Sequence, residues 1–328
     1  MAIERGESTA VGVAVETTRG TFVAATDYIR TREPASIQTI VEKVDIKESR
    51  QTGTSSQGQV ITMKKVEGEM ALNLRFRTIG YLLKSLFGSL SSATEGGQTI
   101  VYRHTITLAT SVLQPTLSLS LARGSFSHKQ IPGAVVTKMA LEFPVDDVIN
   151  GSVTVKGLTE TTTTNFTPTY ASTDHLAPHQ MITLKMATNT AGLSGATAIV
   201  ATDLSIEFDR GTRERVNISS ISPVDFIAKL LTISGKFTIE KSDDTYKTLA
   251  EANTTQAISI TITNTAQTIG TATNPQLVIT LPNVTLIASE SRPLDDAITE
   301  EIAFVANYDD TAAYSATLSL LNEKLNYV

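Results

Sequence analysis

The stretch QVITMKKVEGEMALNLRFR (59–77) places Met70, Leu72, Leu74 and Phe76 at strict period two, with Val60, Ile61 and Val66 ahead of them. Such alternation makes a β-strand with one buried and one wet face. Upstream, QTIVEKVDIK (38–47) alternates less strictly and reads as a partner strand. Between them, ESRQTGTSSQG (48–58) is polar, holds two glycines and has no apolar anchor. It reads as a flexible loop, longer than the usual two to five residues of a hairpin connection. The three segments predict a long β-hairpin. Directly after it, TIGYLLKSLF (78–87) changes period. Ile79, Leu82, Leu83 and Leu86 fall at helical spacing, with Thr78 as a candidate N-cap and Gly88 as the stop. Strand patterns resume at 99–108, 115–122, 133–143 and 152–157, with turn chemistry at Gln114-Pro115, Asp146-Asp147 and Asn150-Gly151.

The order strand, polar loop, strand, short helix, strands then returns. Strands are predicted at 181–186 and 198–208, a polar segment at Asp209–Arg215 and a strand at GKFTIEK (235–241). A helix follows at DDTYKTLAEAN (243–253), capped by Asp243 or Asp244, then strands at 257–264, 276–287, 298–307 and 315–322. Matching points sit at similar offsets: Arg50 with Arg210 (210 − 50 = 160), and Gly68 with Gly235 (235 − 68 = 167). Asp146-Asp147 matches Asp309-Asp310 (309 − 146 = 163), and the closing strands SVTVKGL and SATLSLL start at Ser152 and Ser315 (315 − 152 = 163). The chain therefore divides into an N-terminal extended arm (1–35), a first β unit (36–158), a Thr- and Pro-containing linker (159–180) and a second β unit (181–328). The arm carries a possible short hairpin around Arg19-Gly20. It is too short to bury much on its own domain and would gain most by lying on a neighbouring subunit.

The bulk composition agrees with two β units. The 328 residues suffice for two domains of ordinary size. Hydrophobic residues make up 41% but aromatics only 5%, with no Trp, so the cores must be built from Val, Ile, Leu and Ala. The formal charge of −6 argues against a nucleic-acid-binding surface, which needs a basic footprint. It is compatible with a repulsive surface that DNA slides past. Cysteine is absent, which excludes disulfides and thiolate metal sites. MAIERGESTA has no apolar signal core, and no apolar run approaches 18 residues. The expectation is a chain folded in a cytoplasm, with no membrane partner, whose Asn-x-Ser/Thr triplets are chance products.

The chain resembles the tail tube proteins of long-tailed bacteriophages with non-contractile tails. Four features carry the likeness: the segment GVAVETTRGTFVAATDYI (12–29), the hairpin 38–77 with its helix, the closing strands VVTKMALEFPVDDVINGSVTVKGL (135–158), and the doubled unit. The resemblance implies an all-β fold with minor α: two tandem tail-tube-type β-sandwich or barrel units, each flanked by a short helix. Units of that family form rings around a channel, usually six per ring, so three double-unit chains would complete a pseudo-sixfold ring. It further implies stacking through long loops and arms, passage of double-stranded DNA, and contacts with tape measure, tail terminator and distal tail proteins. The place of action would be the virion tail, assembled in the host cytoplasm. The inter-ring candidates are Ser49, Arg50, Gln51, Thr52, Gly53, Thr54, Ser55, Ser56 and Gln57. The acidic channel-lining candidates are Glu142, Asp146, Asp147, Glu300 and Asp309.

No catalytic constellation emerges. Carboxylate pairs at 146–147, 243–244, 295–296, 300–301 and 309–310 would suit glycoside hydrolysis, but most fall at turn positions. His175 and His179 have metal-like spacing, yet Pro178 disfavours a helix through Ala177. No Gly-x-Ser-x-Gly elbow, phosphate loop or dinucleotide fingerprint is present. No enzyme activity, cofactor or metal is expected. The alternative is a carbohydrate-binding or adhesin-like double β-sandwich, which the missing Trp and missing signal segment disfavour, and behind it a Ca²⁺-dependent or glycoside-processing enzyme.

Overall fold

The computed structural model describes residues 9–48, 58–124, 127–291 and 297–328. In chain order it contains β1 (Thr9–Val15), β2 (Asp27–Ile29), β3 (Gln38–Asp45), β4 (Gln59–Asn73), helix α1 (Ile79–Phe87), β5 (Gly88–Thr94), β6 (Tyr102–Leu108), β7 (Leu117–Arg123), β8 (Ser127–Glu142), β9 (Asn150–Gly157) and β10 (Thr161–Thr162). There follow β11 (Ile182–Ala187), β12 (Ala198–Ile199), β13 (Asp203–Asp209), β14 (Thr212–Arg215), β15 (Asp225–Ala228), β16 (Thr232–Glu240), helix α2 (Thr245–Glu251), β17 (Gln256–Thr263), β18 (Gln276–Ser291), β19 (Thr299–Ala306) and β20 (Thr317–Asn322). The fold is all-β with minor α, and among the described residues no sheet closes into a barrel.

Two long strands organise the molecule. β8 and β18 are each 16 residues, and each runs through two layers. The first part of β8 pairs with β7, and its second part with β9. The first part of β18 pairs with β17, and its second part with β19. Both shift register at the bend, near Pro132-Gly133 and Pro282-Asn283. Proline cannot donate to a ladder and is tolerated in sheets at such bulges, so IPG and LPN mark the same corner in each unit (282 − 132 = 150).

Beyond the corners, the strands form one antiparallel sheet in the order β3-β4-β9-β8-β13-β16-β19-β18. The first four strands come from one unit and the last four from the other, joined where β8 meets β13. The second layer of the first unit is β2-β1-β7-β8-β10. That of the second is β12-β11-β17-β18-β20, prolonged by β6 and β5. One apolar core fills both units, from Val13 and Leu119 through Met139 and Phe208 to Ile260 and Phe304.

This pairing corrects two of the sequence matches. Gly68 and Gly235 are equivalent, each on the strand before a helix, where an added Cβ would meet neighbouring backbone (Ser36 O, just ahead of β3, at 2.6 Å; Ser205 O of β13 at 2.5 Å). The closing strands are not equivalent: β9 lies between β4 and β8, whereas β20 lies between β18 and β6. The partner of β9 is β19, at offset 149 (299 − 150). That shifts the match of Asp146-Asp147 to Asp295-Asp296, outside the described residues. Arg50 also lies outside them. Alternating apolar residues look alike on either layer, so periodicity alone could not separate β9-like from β20-like strands.

The arm reading gives way over 9–29. β1 pairs with β7 along seven positions and buries Val11, Val13 and Val15 within its own unit, and β2 folds back on β1. Residues 1–8 lie outside the described residues. The segment 159–180 is fastened to the first unit. Thr161 and Thr162 pair with β8, and Tyr170 packs edge-on to Tyr28. Buried Asp174 accepts hydrogen bonds from Arg77 N, Thr78 N and Thr78 Oγ1, serving the N-terminus of α1 that the Thr78 side chain leaves uncapped. Burial pushes the Asp174 carboxyl up, against those hydrogen bonds.

Helix α1 is buried on nearly every side and ends at Gly88 (φ 94°). Its C-terminal carbonyl at Leu86 accepts from buried Arg210, which also reaches Ala109 O and Ser111 O, a cation placed where a helix end favours one. Phe87 meets Phe208 edge-on at 5.5 Å. Helix α2 is shallow by contrast, leaning on the core only through Tyr246, Leu249 and Ala250.

Candidate functional site

The eight-stranded sheet has one covered and one open face. Side chains alternate along every strand: Met139 and Leu141 point to the core, and Lys138, Ala140 and Glu142 point away. The same holds for Phe237 and Ile239 against Lys236, Thr238 and Glu240. Cross-strand register carries the open set across the sheet, from Glu69 through Thr154 and Lys138 to Asp209, and from Glu142 through Ser205 and Lys236 to Ala303.

That open face is acidic and poor in apolar groups. Its carboxylates are Glu42, Glu67, Glu69, Glu142, Asp203, Glu207, Asp209, Glu240 and Glu301, and its lysines are Lys65, Lys138, Lys156 and Lys236. Every one of these lysines is held by a carboxylate: Lys65 by Glu42 (2.9 Å), Lys138 by Glu207 (2.9 Å), Lys236 by Glu301 (2.8 Å) and Lys156 by Glu214 of β14 (3.1 Å). Donating to the carboxylates of Glu42, Glu207 and Glu301 raises the pKa of these lysines. Glu69, Glu142, Asp203 and Glu240 have no such cation among the described residues.

Of the sequence candidates, Glu142 lies on this face. Glu300 does not: at 1% exposure it is turned to the core side of β19, and burial raises its pKa. Its neighbour Glu301 takes the open position. The alternation on β19 runs opposite to the assumed one, and only the register with β16 reveals it. Asp146 and Asp147 lie in the β8–β9 turn at the end of the sheet, where Asp147 meets Arg32 at 3.3 Å. Asp309 accepts from Thr311 N and Ala312 N within its own turn. Ser49, Arg50, Gln51, Thr52, Gly53, Thr54, Ser55, Ser56 and Gln57 lie outside the described residues.

Among the described residues, no three His, Asp or Glu side chains gather as a metal-binding group. Asp243 accepts from Thr245 N and Asp244 pairs with Lys241, so that carboxylate pair serves the start of α2.

Among the described residues the two rims of the sheet carry no further strand, although Arg123 donates to Ile37 O just before β3 and Thr39 Oγ1 to Glu160 Oε2 (2.7 Å). Among the described residues β3 pairs with β4 alone, and over 285–289 β18 pairs with β19 alone. The rims run in opposite directions, because an even number of antiparallel strands separates them. Beyond Val66, β3 and β4 continue as a projecting two-stranded ribbon that exposes Val41, Val44, Val60 and Ile61. The corresponding segment of the second unit folds as the β14–β15 hairpin instead, with Ile221 O accepting from Lys64 N at the ribbon's base.

The family model described as phage tail tube protein matches residues 6–306. The chain belongs to that family. It is therefore a phage tail structural protein and a virion component. The matched residues include every strand of the eight-stranded sheet. Among curated proteins, none matches the chain at a significant level. No helix among the described residues is long and apolar enough to cross a membrane.

Proposed function

We propose that this tail tube protein is the repeating, non-enzymatic subunit of a non-contractile tail, assembling into stacked rings whose channel conducts DNA. The observation that carries the reading is the eight-stranded sheet, whose two oppositely directed rims carry no further strand among the described residues. Unpaired rim N–H and C=O groups template further pairing, and closure is the arrangement that leaves no rim exposed. A head-to-tail contact between β18 of one chain and β3 of the next keeps the sheet antiparallel and generates a ring. Three chains, six units, make the ring.

The open face would then line the channel. Its uncompensated carboxylates repel phosphates, and with its lysines already held by neighbours it offers few sites for phosphate contact. The ribbon and the segment 49–57 are the axial contacts, adding strands or ordering on the next ring. Tape measure, terminator and distal tail proteins meet the same channel and ring ends.

Native mass spectrometry of assembled protein tests this. A smallest closed species of three chains, visible as rings and tubes by electron microscopy, is expected. A protein that stays monomeric under all assembly conditions, with and without a nucleating tail tip, overturns it.

A further inference from the structure

The molecule contains its own template for the seam between chains. At the internal junction, β8 of the first unit pairs with β13 of the second. The repeat makes β18 the counterpart of β8, and β3 the counterpart of β13. The offsets follow from register. Gly68 opposes Val155 and Gly235 opposes Phe304, which sets β9 and β19 apart by 149 (304 − 155). Lys138 faces Thr154 and Ile287 faces Ala303, so Ile287 takes the place of Lys138 (287 − 138 = 149). Lys65 faces Ile40 and Thr232 faces Asp209, so Ile40 takes the place of Asp209 (209 − 40 = 169).

Lys138 and Asp209 are direct cross-strand partners. Resting on the ring reading above, we infer that the seam between chains copies this register and brings Ile40 of one copy opposite Ile287 of the next. Thr39 then opposes Ala288, and Gln38 opposes Ser289. The side chains argue for the same register independently. Ile287 is 65% exposed and Ile40 37% exposed, both on the mostly polar open face, which also carries Val305 in its interior. Each stands on a rim strand, where a lone chain leaves it in water. Pairing buries the two against each other, as β-branched cross-strand pairs do in sheets. The internal junction needs no such apolar pair, because covalent continuity already holds it, and there the charged residues Lys138 and Asp209 stand instead. Apolar contact at the seam supplies what the linker supplies within the chain.

The absence of cysteine makes the test clean. Directly opposed antiparallel residues have Cα atoms about 4.5–5.5 Å apart, within disulfide reach. The doubly substituted chain Ile40→Cys/Ile287→Cys is assembled, mildly oxidised and run on a non-reducing gel. The comparators are Gln38→Cys/Ile287→Cys and Ile40→Cys/Ser289→Cys, on the same face but slipped by two residues. The expected result is loss of the monomer band to covalent multimers for the 40/287 pair, and retention of monomer for both slipped pairs. Native mass spectrometry of the reduced samples reports rings independently. Rings that cross-link preferentially through a slipped pair, or not at all through 40/287, overturn the register and leave the ring standing. Reduced samples without any ring overturn both.

Discussion

Lys324 Nζ lies 2.8 Å from Asp27 Oδ2, although 297 residues separate them in sequence. The pair fastens the end of the chain to its beginning. Arg77 Nε also donates to Asp27 (2.9 Å), as does Tyr81 Oη (2.7 Å). Tyr327, buried beside them, donates to Arg77 O and stands edge-on to Tyr81 at 4.9 Å. Gly80 is required there, since an added Cβ would strike the Tyr327 ring.

Burial pulls the Asp27 carboxyl upward, but the hydrogen bonds from Lys324, Tyr81 and Arg77 outweigh it and hold the pKa below the ordinary value. A carboxyl depressed in the folded state contributes stability above its unfolded pKa near ~4 and loses it as pH falls through the folded value. Asp27→Asn is expected to cost on the order of 3 kcal/mol at pH 7 by leaving Arg77 and Lys324 unpaired. Urea unfolding of both proteins at pH 7 and in strong acid checks this. The gap should narrow at low pH, and a pH-independent gap would sink the electrostatic account.

Gly68→Ala and Gly235→Ala are expected to destabilise by about 1–3 kcal/mol each, since the new methyl meets the backbone of Ser36 and Ile37 at the first site and the Phe304 ring and Ser205 O at the second. Gly195→Ala, with nothing within 4 Å and no positive φ, serves as the control and should stay near neutral. Thermal melts compare the three.

Phe76 is 1% exposed on the covered side of the long hairpin strand's continuation. Phe76→Asp buries a charge without a partner and is expected to cost several kcal/mol, about 4 or more. Loss of soluble folded protein, or a sharply lowered melting point, is the readout.

Converting Glu69, Glu142 and Asp203 together to Lys places cations on the open face that no neighbouring carboxylate already holds. Assembled tubes of the variant should retain DNA, with retention falling steeply as salt rises. Filter retention against the unaltered tube measures the difference, and equal retention by both would remove the face from the channel.

Deleting residues 50–57 is expected to leave each unit folded, because RQTGTSSQ offers no apolar anchor. Tube length by electron microscopy should collapse to single rings or short stacks. Tubes of normal length would refute an axial role for the loop.

The strand character of the chain was legible because alternation is local. Met70 and Leu72 announce their strand within a few residues. The end of α1 at the left-handed Gly88 was equally local, but its start is served by Asp174, 96 residues away, and not by a Thr78 cap. What stayed hidden depends on distant partners. β5 (GSLSSAT) carries one large apolar residue, Leu90, because it is a rim strand beside β6, and it was not anticipated. The face of Glu300 depends on register with β16. The true offset of the repeat was available in Pro132 and Pro282, two prolines inside strong strand patterns, but only a sheet that changes layer there explains why they are tolerated.

Parity follows from the eight-strand sheet. In a subunit with an odd number of antiparallel strands the two rims would point the same way, and every head-to-tail joint between copies would have to be parallel. Four strands from each unit make eight, and the two rims point in opposite directions. On the ring reading proposed above, each copy would then meet the next in the same antiparallel sense in which β8 meets β13.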